Sequence, residues 1–335
     1  MAISSVSDPL PPLNKPTLPP FPTTIPTAPL HRISLSKLLS HDPRESSRLF
    51  TACKDLGFFY LDLRSTTPGD SLLADAAALF DVGEDFFNLP LEEKMKYDFS
   101  GQKSYFGYKG FGTAVIDRKG TRDRNEFYNI SKNDILALSP PLPSPHLLLP
   151  HHPLLSSFIR TSHTLVHLLL SHLNTHLRLP PSTLQNLHRL HHLSGDQVRF
   201  VKAPPQDPSD SRTALGEHTD FGSITILFNR LGGLQVLPPG ENAEWVYVRP
   251  LEGDAIVNLG DAMVKFTNGL LRSNLHRVVA PPGGQKGETR FSVVYFNRPE
   301  DEVLLRRRAL GKRVGVFREE EWERGLGTER VGGRL

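Results

Sequence analysis

Two imidazoles, one carboxylate, one guanidinium and one hydroxyl carry the chemistry that stands out in this sequence. His218-Thr219-Asp220 sets an imidazole and a carboxylate at i and i+2. On a strand, alternate side chains leave by the same face, so such a pair can converge on one point. His276 follows His218 by 58 residues, in Leu275-His276-Arg277-Val278, and brings a second imidazole from a distant strand. Two imidazoles and one carboxylate on one side of a metal, with the other side open, suit a ferrous ion that must also bind reactants. Fourteen residues after His276 comes Arg290-Phe291-Ser292, again i and i+2, opening the apolar run Val293-Val294-Tyr295-Phe296. A guanidinium and a hydroxyl on one face can hold a carboxylate. An arginine opening such a strand is costly to bury without an anion, whether a ligand or an acidic side chain of the protein.

These five residues need a β scaffold, and the second half of the chain reads as one. The sequence predicts strands over 198–203, 223–228, 233–236, 245–248, 255–259, 276–280 and 290–296. Turn residues separate them, among them Gly232-Gly233, Pro238-Pro239-Gly240, Asn268-Gly269 and Pro281-Pro282-Gly283-Gly284. Short strands with such punctuation fit a double-sheet jelly roll. Phe221 and Thr225, just after the His-x-Asp pair, are expected to face or flank the pocket or to pack in the core.

The first half reads as mixed. Helices are expected over 44–56 and 71–87, with a short strand from Gly57 to Leu61 between them and a fresh helix start at Pro90-Leu91-Glu92-Glu93. Ser104 to Gly110 reads as a loop or bulged strand, and 123–130 as a strand. Residues 9–29 hold nine prolines and read as an extended arm, since proline fixes φ and removes a donor. The whole is therefore expected to be α+β, a double-stranded β-helix (jelly-roll) core with N-terminal helices packed outside. It divides into the arm (1–29), a helical and mixed region (30–192), the jelly-roll core (193–300) and a C-terminal helix or lid (301–335).

Ten of the fourteen histidines lie in 146–192. Leu165, Leu169, Leu173 and Leu177 recur every four residues and mark an amphipathic helix. His163/His167 and His172/His176 are i, i+4 pairs, but His163-Thr164-Leu165-Val166-His167 lacks the glutamate of a zinc-protease helix. They are expected to form a solvated face with a weak pH response near neutrality.

Composition excludes several function classes. The net charge of +3, from 39 basic and 36 acidic side chains, gives no case for nucleic acid or a charged membrane surface. No apolar run is long enough to span a bilayer. The start, MAISSVSDPL, has no basic-then-apolar signal pattern. The single cysteine, Cys53, forbids an internal disulfide and a cysteine metal cluster. A cytoplasmic protein, monomeric or weakly self-associating, with a small-molecule substrate is expected.

Over roughly residues 30–298 the chain resembles the isopenicillin N synthase-like family of Fe(II)/2-oxoglutarate-dependent oxygenases. The resemblance runs through Gly57-Phe58-Phe59, Pro90 with Glu93-Lys94, Gly107-Tyr108, Asp123 with Glu126, and His218-Thr219-Asp220. It continues in Gly233-Leu234-Gln235-Val236, Asn258-Leu259-Gly260-Asp261, Asn268-Gly269, His276-Arg277-Val278 and Arg290-Phe291-Ser292. It implies that His218, Asp220 and His276 bind Fe(II), and that Arg290 and Ser292 bind the far carboxylate of the cosubstrate 2-oxoglutarate. The reaction implied is O2-dependent hydroxylation, desaturation or cyclisation of a small organic molecule in specialised metabolism. The alternatives are an Fe(II) oxidase of the same fold that uses no 2-oxo acid, and a non-catalytic metal-binding jelly roll. Two features depart from the family pattern. Val201 and Ala203 stand where many members carry an Asn and a Tyr that help hold the 2-oxo acid. The stretch from His276 to Arg290 is also longer than usual, with 281–287 expected to absorb the insertion as a hairpin loop.

Overall fold

The computed structural model describes residues 17–116, 119–207, 210, 212–305, 316–318 and 329–330. In chain order, the first half supplies β1 (His31–Ser34), β2 (Phe58–Asp62), β3 (Gly107–Lys109) and β4 (Glu126–Ser131). The second half supplies β5 (Gln197–Ala203), β6 (Leu215–His218), β7 (Ile224–Asn229), β8 (Leu234–Val236) and β9 (Val246–Tyr247). β10 (Asp254–Leu259), β11 (His276–Val278) and β12 (Arg290–Asn297) follow. Eight strands form one sheet in the order β1-β2-β10-β7-β12-β5-β4-β3, and four form another in the order β6-β11-β8-β9. Side chains from both sheets line one cavity, so the sheets face each other as in a jelly roll. The strands of the first half complete the larger sheet rather than standing apart from it.

The strand period decides what each face does. On β12, Arg290, Ser292, Val294 and Phe296 line the cavity, and on β5 Arg199, Val201 and Ala203 do the same. The intervening Val293, Tyr295, Val198 and Phe200 are buried on the reverse face, in the core built with the helices.

Those helices start where the sequence supplies caps. Asp42 accepts from the amides of Arg44 and Glu45 at 2.8 and 3.1 Å and starts the helix Pro43–Asp55. Thr66 caps Thr67–Asn88 through the Gly69 amide at 3.1 Å. Gly83 lets that helix close on β5, because a Cβ there would sit 3.2 Å from Phe200 Cγ. Pro90 opens the short helix Leu91–Met95, as expected.

Four expectations are revised. The helix His152–His176 is buried on more than one side, and His163 and His172 lie inside rather than on a solvated face. His163 and His167 both donate through Nε2 to the carbonyl of His188, at 2.6 and 2.7 Å. Burial pulls the pKa of His163 and of His188 down to about 4, so neither titrates near neutrality. The insertion at 281–287 is not a hairpin: β11 and β12 belong to different sheets, and the crossing segment carries a 3-10 turn, Gly283–Gly287. The proline-rich arm is extended, but from Thr17 onward it is seated on the protein. Phe21 is buried, Gln285 Nε2 donates to the Pro19 carbonyl at 2.8 Å, and the Ala28 amide donates to the Tyr247 carbonyl at 2.8 Å. The described parts of the C-terminal tail are short strands, Val303–Leu305, Val316–Arg318 and Glu329–Arg330, paired with one another. A helix in the rest of the tail lies outside the described residues.

Candidate metal and keto-acid site

β6 ends at His218, and Asp220 lies just beyond it, so the pleat alone does not aim the pair. The Asp220 backbone is fixed from the other side. The Asp261 amide, at the start of the helix Asp261–Phe266, donates to the Asp220 carbonyl at 2.8 Å. Gly260 makes this possible, since a Cβ there would lie 2.2 Å from the Gly222 carbonyl oxygen. His276 opens β11, which pairs directly with β6 and sets His276 opposite His218. The two rings stand 4.2 Å apart, centroid to centroid. Their Nε2 atoms are 3.9 Å (His218) and 3.8 Å (His276) from Asp220 Oδ1. One ligand atom from each residue lies within 4.8 Å of the other two.

Each remaining polar atom of the three side chains is occupied. His218 Nδ1 donates to the Gly216 carbonyl at 2.8 Å, and His276 Nδ1 to that of Asn274 at 3.1 Å. Both Nε2 lone pairs are thereby left free to ligate. Asp220 Oδ2 accepts from Thr225 Oγ1 at 2.7 Å and Asn258 Nδ2 at 2.6 Å, which leaves Oδ1 turned to the imidazoles. Burial opposes ionisation of Asp220, but the imidazoles and these two donors outweigh it and hold the carboxyl below its ordinary pKa. Burial, then the neighbouring His276, lowers the pKa of His218 and keeps it neutral. Two imidazoles and a carboxylate are a donor set that fits Fe(II).

In the same cavity, Arg290 is 3% exposed. Its Nε donates to the Gly232 carbonyl at 2.8 Å and its Nη1 to Ser292 Oγ at 2.7 Å. Among the described residues no carboxylate reaches it, and burial pulls its pKa down to about 10. An internal ion pair is therefore not what Arg290 serves, and the uncompensated charge fits a ligand carboxylate. Ser292 pairs with Val201 and Arg290 with Ala203 across β12 and β5. Both apolar side chains line the cavity and give a keto acid no hydrogen bond.

Thr225 lines the cavity as expected, but Phe221 does not. It is 45% exposed and lies outside the lining, beside Arg298. Two polar residues of the site, Gln285 and Arg199, escape sequence reading, and Asn258 shows there only as part of a motif without a role. Gln285 Oε1 accepts from the Gly232 amide at 2.9 Å and so ties the proline-rich arm to the carbonyl that holds Arg290. The alternation Arg199-Phe200-Val201 was the available signal for Arg199, since it puts Arg199 on the face of Val201.

The two-sheet fold with a two-histidine, one-carboxylate cluster defines a class of oxygenase, and comparison with known proteins agrees. Residues 192–299 match the 2OG-Fe(II) oxygenase superfamily, and 25–146 match the N-terminal region of non-haem dioxygenases described from morphine synthesis. A 2-oxoglutarate-dependent dioxygenase of Aspergillus fumigatus is 35% identical over 86% of this chain and 80% of its own. The 2-oxoglutarate-dependent dioxygenase gloE of Glarea lozoyensis is 32% identical over 83% of this chain and 81% of its own. A full-length Neurospora crassa protein, crystallised in complex with alpha-KG, shares the fold. Its TM-score is 0.72 at 24% identity, over 90% of this chain and 93% of that one. The chain belongs to the 2OG-Fe(II) oxygenase superfamily. Within it, the chain is an enzyme of the 2-oxoglutarate-dependent dioxygenase class, which uses Fe(II), 2-oxoglutarate and O2. The readings as an oxidase without a 2-oxo acid or as a non-catalytic jelly roll are set aside.

Proposed function

We propose that His218, Asp220 and His276 hold the Fe(II) and that Arg290, with Ser292, holds the far carboxylate of 2-oxoglutarate. The observation that carries this reading is the way the donor atoms are divided. Every outward atom of the three ligands is tied to protein, while the two Nε2 atoms and Oδ1 converge with no partner but one another. When bound, the iron with 2-oxoglutarate and O2 supplies an oxidation that no side chain here can perform, leaving succinate and CO2 beside the oxidised substrate. The chain's own residues orient and exclude. Arg290 fixes one end of the keto acid, and Phe58, Phe127, Val294 and Phe296 give the cavity apolar surface.

The cavity is lined mainly by apolar side chains with a few polar groups among them, as suits a small organic molecule. The substrate is a small organic molecule that is hydroxylated, desaturated or cyclised, in specialised metabolism. The fungal dioxygenases above and codeine O-demethylase of Papaver somniferum, 32% identical over 79% of this chain and 70% of its own, support that class. Among the described residues no helix is long and apolar enough to cross a membrane. The near-balanced charge offers no surface for nucleic acid or an anionic membrane, and the proposal is completed by a cytoplasmic monomer or weak homo-oligomer. The proposed partition is an arm to residue 29, a mixed region to 192, the jelly-roll core to 300 and a C-terminal helix or lid from 301.

Anaerobic equilibrium dialysis against Fe(II) tests the metal assignment. The wild type is expected to take up one iron per chain and Asp220→Ala none. Full occupancy in Asp220→Ala would contradict it.

A further inference from the structure

Arg199 is a second cation in the cavity, and the reading above gives it no role. β5 turns it into the cavity two residues before Val201. Its guanidinium lies 4.3 Å from the ring centre of Phe127 on β4 and 4.8 Å from that of Phe296 on β12. Asn129 Oδ1 accepts from its Nε at 2.6 Å and fixes the plane. No acidic side chain among the described residues pairs with it, and its two Nη groups make no hydrogen bond to them. Burial, reinforced by Arg298, lowers its pKa to about 10, with Asp220 acting the other way. Both Asp220 and His218 feel its charge, so it works within reach of the metal ligands.

With the site filled as proposed, the iron dication is balanced by Asp220 and the near carboxylate of 2-oxoglutarate. The far carboxylate is balanced by Arg290. As metal ligands the two imidazoles would add no charge. Arg199 alone then stays positive, half-buried between two aromatic rings and with no carboxylate partner among the described residues, so an anion beside it is favoured. Its aromatic neighbours take up faces of the guanidinium, so the in-plane Nη edge is what remains for a ligand. That edge matches the two oxygens of a carboxylate.

We propose that Arg199 is the substrate anchor and that the substrate is a small organic acid with an apolar or aromatic body. The proposal rests on the assignment of iron and 2-oxoglutarate above and adds the substrate's charge to it. The acid's carboxylate pairs with the Nη edge of Arg199, and its body lies along Phe127, Val294 and Phe296. The anchor fixes which carbon faces the metal, so it sets where oxidation falls as well as what binds. A neutral analogue forfeits the ion pair and leaves Arg199 uncompensated.

The test is anaerobic calorimetry on the protein loaded with Fe(II) and saturating 2-oxoglutarate. The probes are benzoate, phenylacetate, cinnamate, indole-3-acetate and decanoate, each beside its primary amide. At least one acid is expected to bind, with its amide about 100-fold weaker or worse, in line with the loss when a charged hydrogen-bonding partner is removed. Arg199→Leu should lose the acid while keeping its affinity for 2-oxoglutarate and its melting temperature, and Arg199→Lys should recover part of the binding. Amides binding as tightly as acids, acid affinity unchanged in Arg199→Leu, or no binding by any acid would overturn the proposal. Failure of 2-oxoglutarate to bind the wild type, with acids still bound through Arg199, would instead overturn the cosubstrate assignment alone.

Discussion

Asn258 Nδ2 stands 2.6 Å from Asp220 Oδ2, and this contact decides which carboxylate oxygen faces the two imidazoles. Asn258 sits on β10, in the larger sheet, while His218 and His276 come from the smaller one. The proposed ligand set is therefore braced from both sheets, with Asn258 as the strut on the far side.

Removing that strut should loosen the metal. Asn258→Ala leaves Thr225 as the only donor to Oδ2 and frees the carboxylate to turn, so Fe(II) affinity is expected to fall roughly 10–100-fold. Competition with a calibrated chelator measures it. Unchanged affinity would mean that Thr225 and the backbone contact of Asp261 suffice.

A second strut serves the cosubstrate end. Gln285 fixes Gly232 by its amide, and the Gly232 carbonyl in turn holds Arg290 Nε. Gln285→Ala should raise the dissociation constant of 2-oxoglutarate about tenfold, a loss comparable to one buried hydrogen bond. Iron content should stay at the wild-type level. Because Gln285 also grips Pro19, deleting residues 1–22 should move 2-oxoglutarate binding in the same direction.

The buried histidines predict a pH dependence of stability whose sign can be worked out. His188 accepts from Ser223 Oγ at 2.6 Å, donates to the Leu184 carbonyl at 2.7 Å, and has a folded pKa of about 4 against 6.5 for a free imidazole. Between those values the unfolded chain binds a proton that the folded chain refuses. Stability is thus full above about pH 6.5, falls as pH drops, and levels off below about 4. The contribution of His188 at the acid end is on the order of 3 kcal/mol. Urea unfolding at pH 7.5 and 5 should show the loss, and His188→Gln should show less of it. An equal loss in the variant would remove His188 from the account.

Much of the site was legible because its chemistry is fixed by residue type. A His-x-Asp pair, a distant His and an Arg-x-Ser pair supply the donor types that a metal and a carboxylate need, and the structure brings all five to one cavity. The strands of the second half were legible too, through turn residues and β-branched runs. The hidden features depend on neighbours that sequence order does not reveal. The helix 152–176 carries its histidines inward because it packs on several sides, which one apolar stripe does not show. Leu215-Gly216-Glu217-His218 has no β-branched run, so β6 emerges only from its pairing with β11. Arg199 is charged, and only the rings of Phe127 and Phe296, from two other strands, hold it half-buried at the cavity.

The central claim is that one cavity holds Fe(II) on His218, Asp220 and His276 and 2-oxoglutarate on Arg290. Anaerobic titration of the Fe(II)-loaded protein with 2-oxoglutarate, followed by the visible metal-to-ligand charge-transfer band, tests it most directly. A saturable band in the wild type that Arg290→Leu shifts to about 100-fold higher 2-oxoglutarate or abolishes is the predicted result. No band in the iron-loaded wild type, or an unchanged titration in Arg290→Leu, would contradict it.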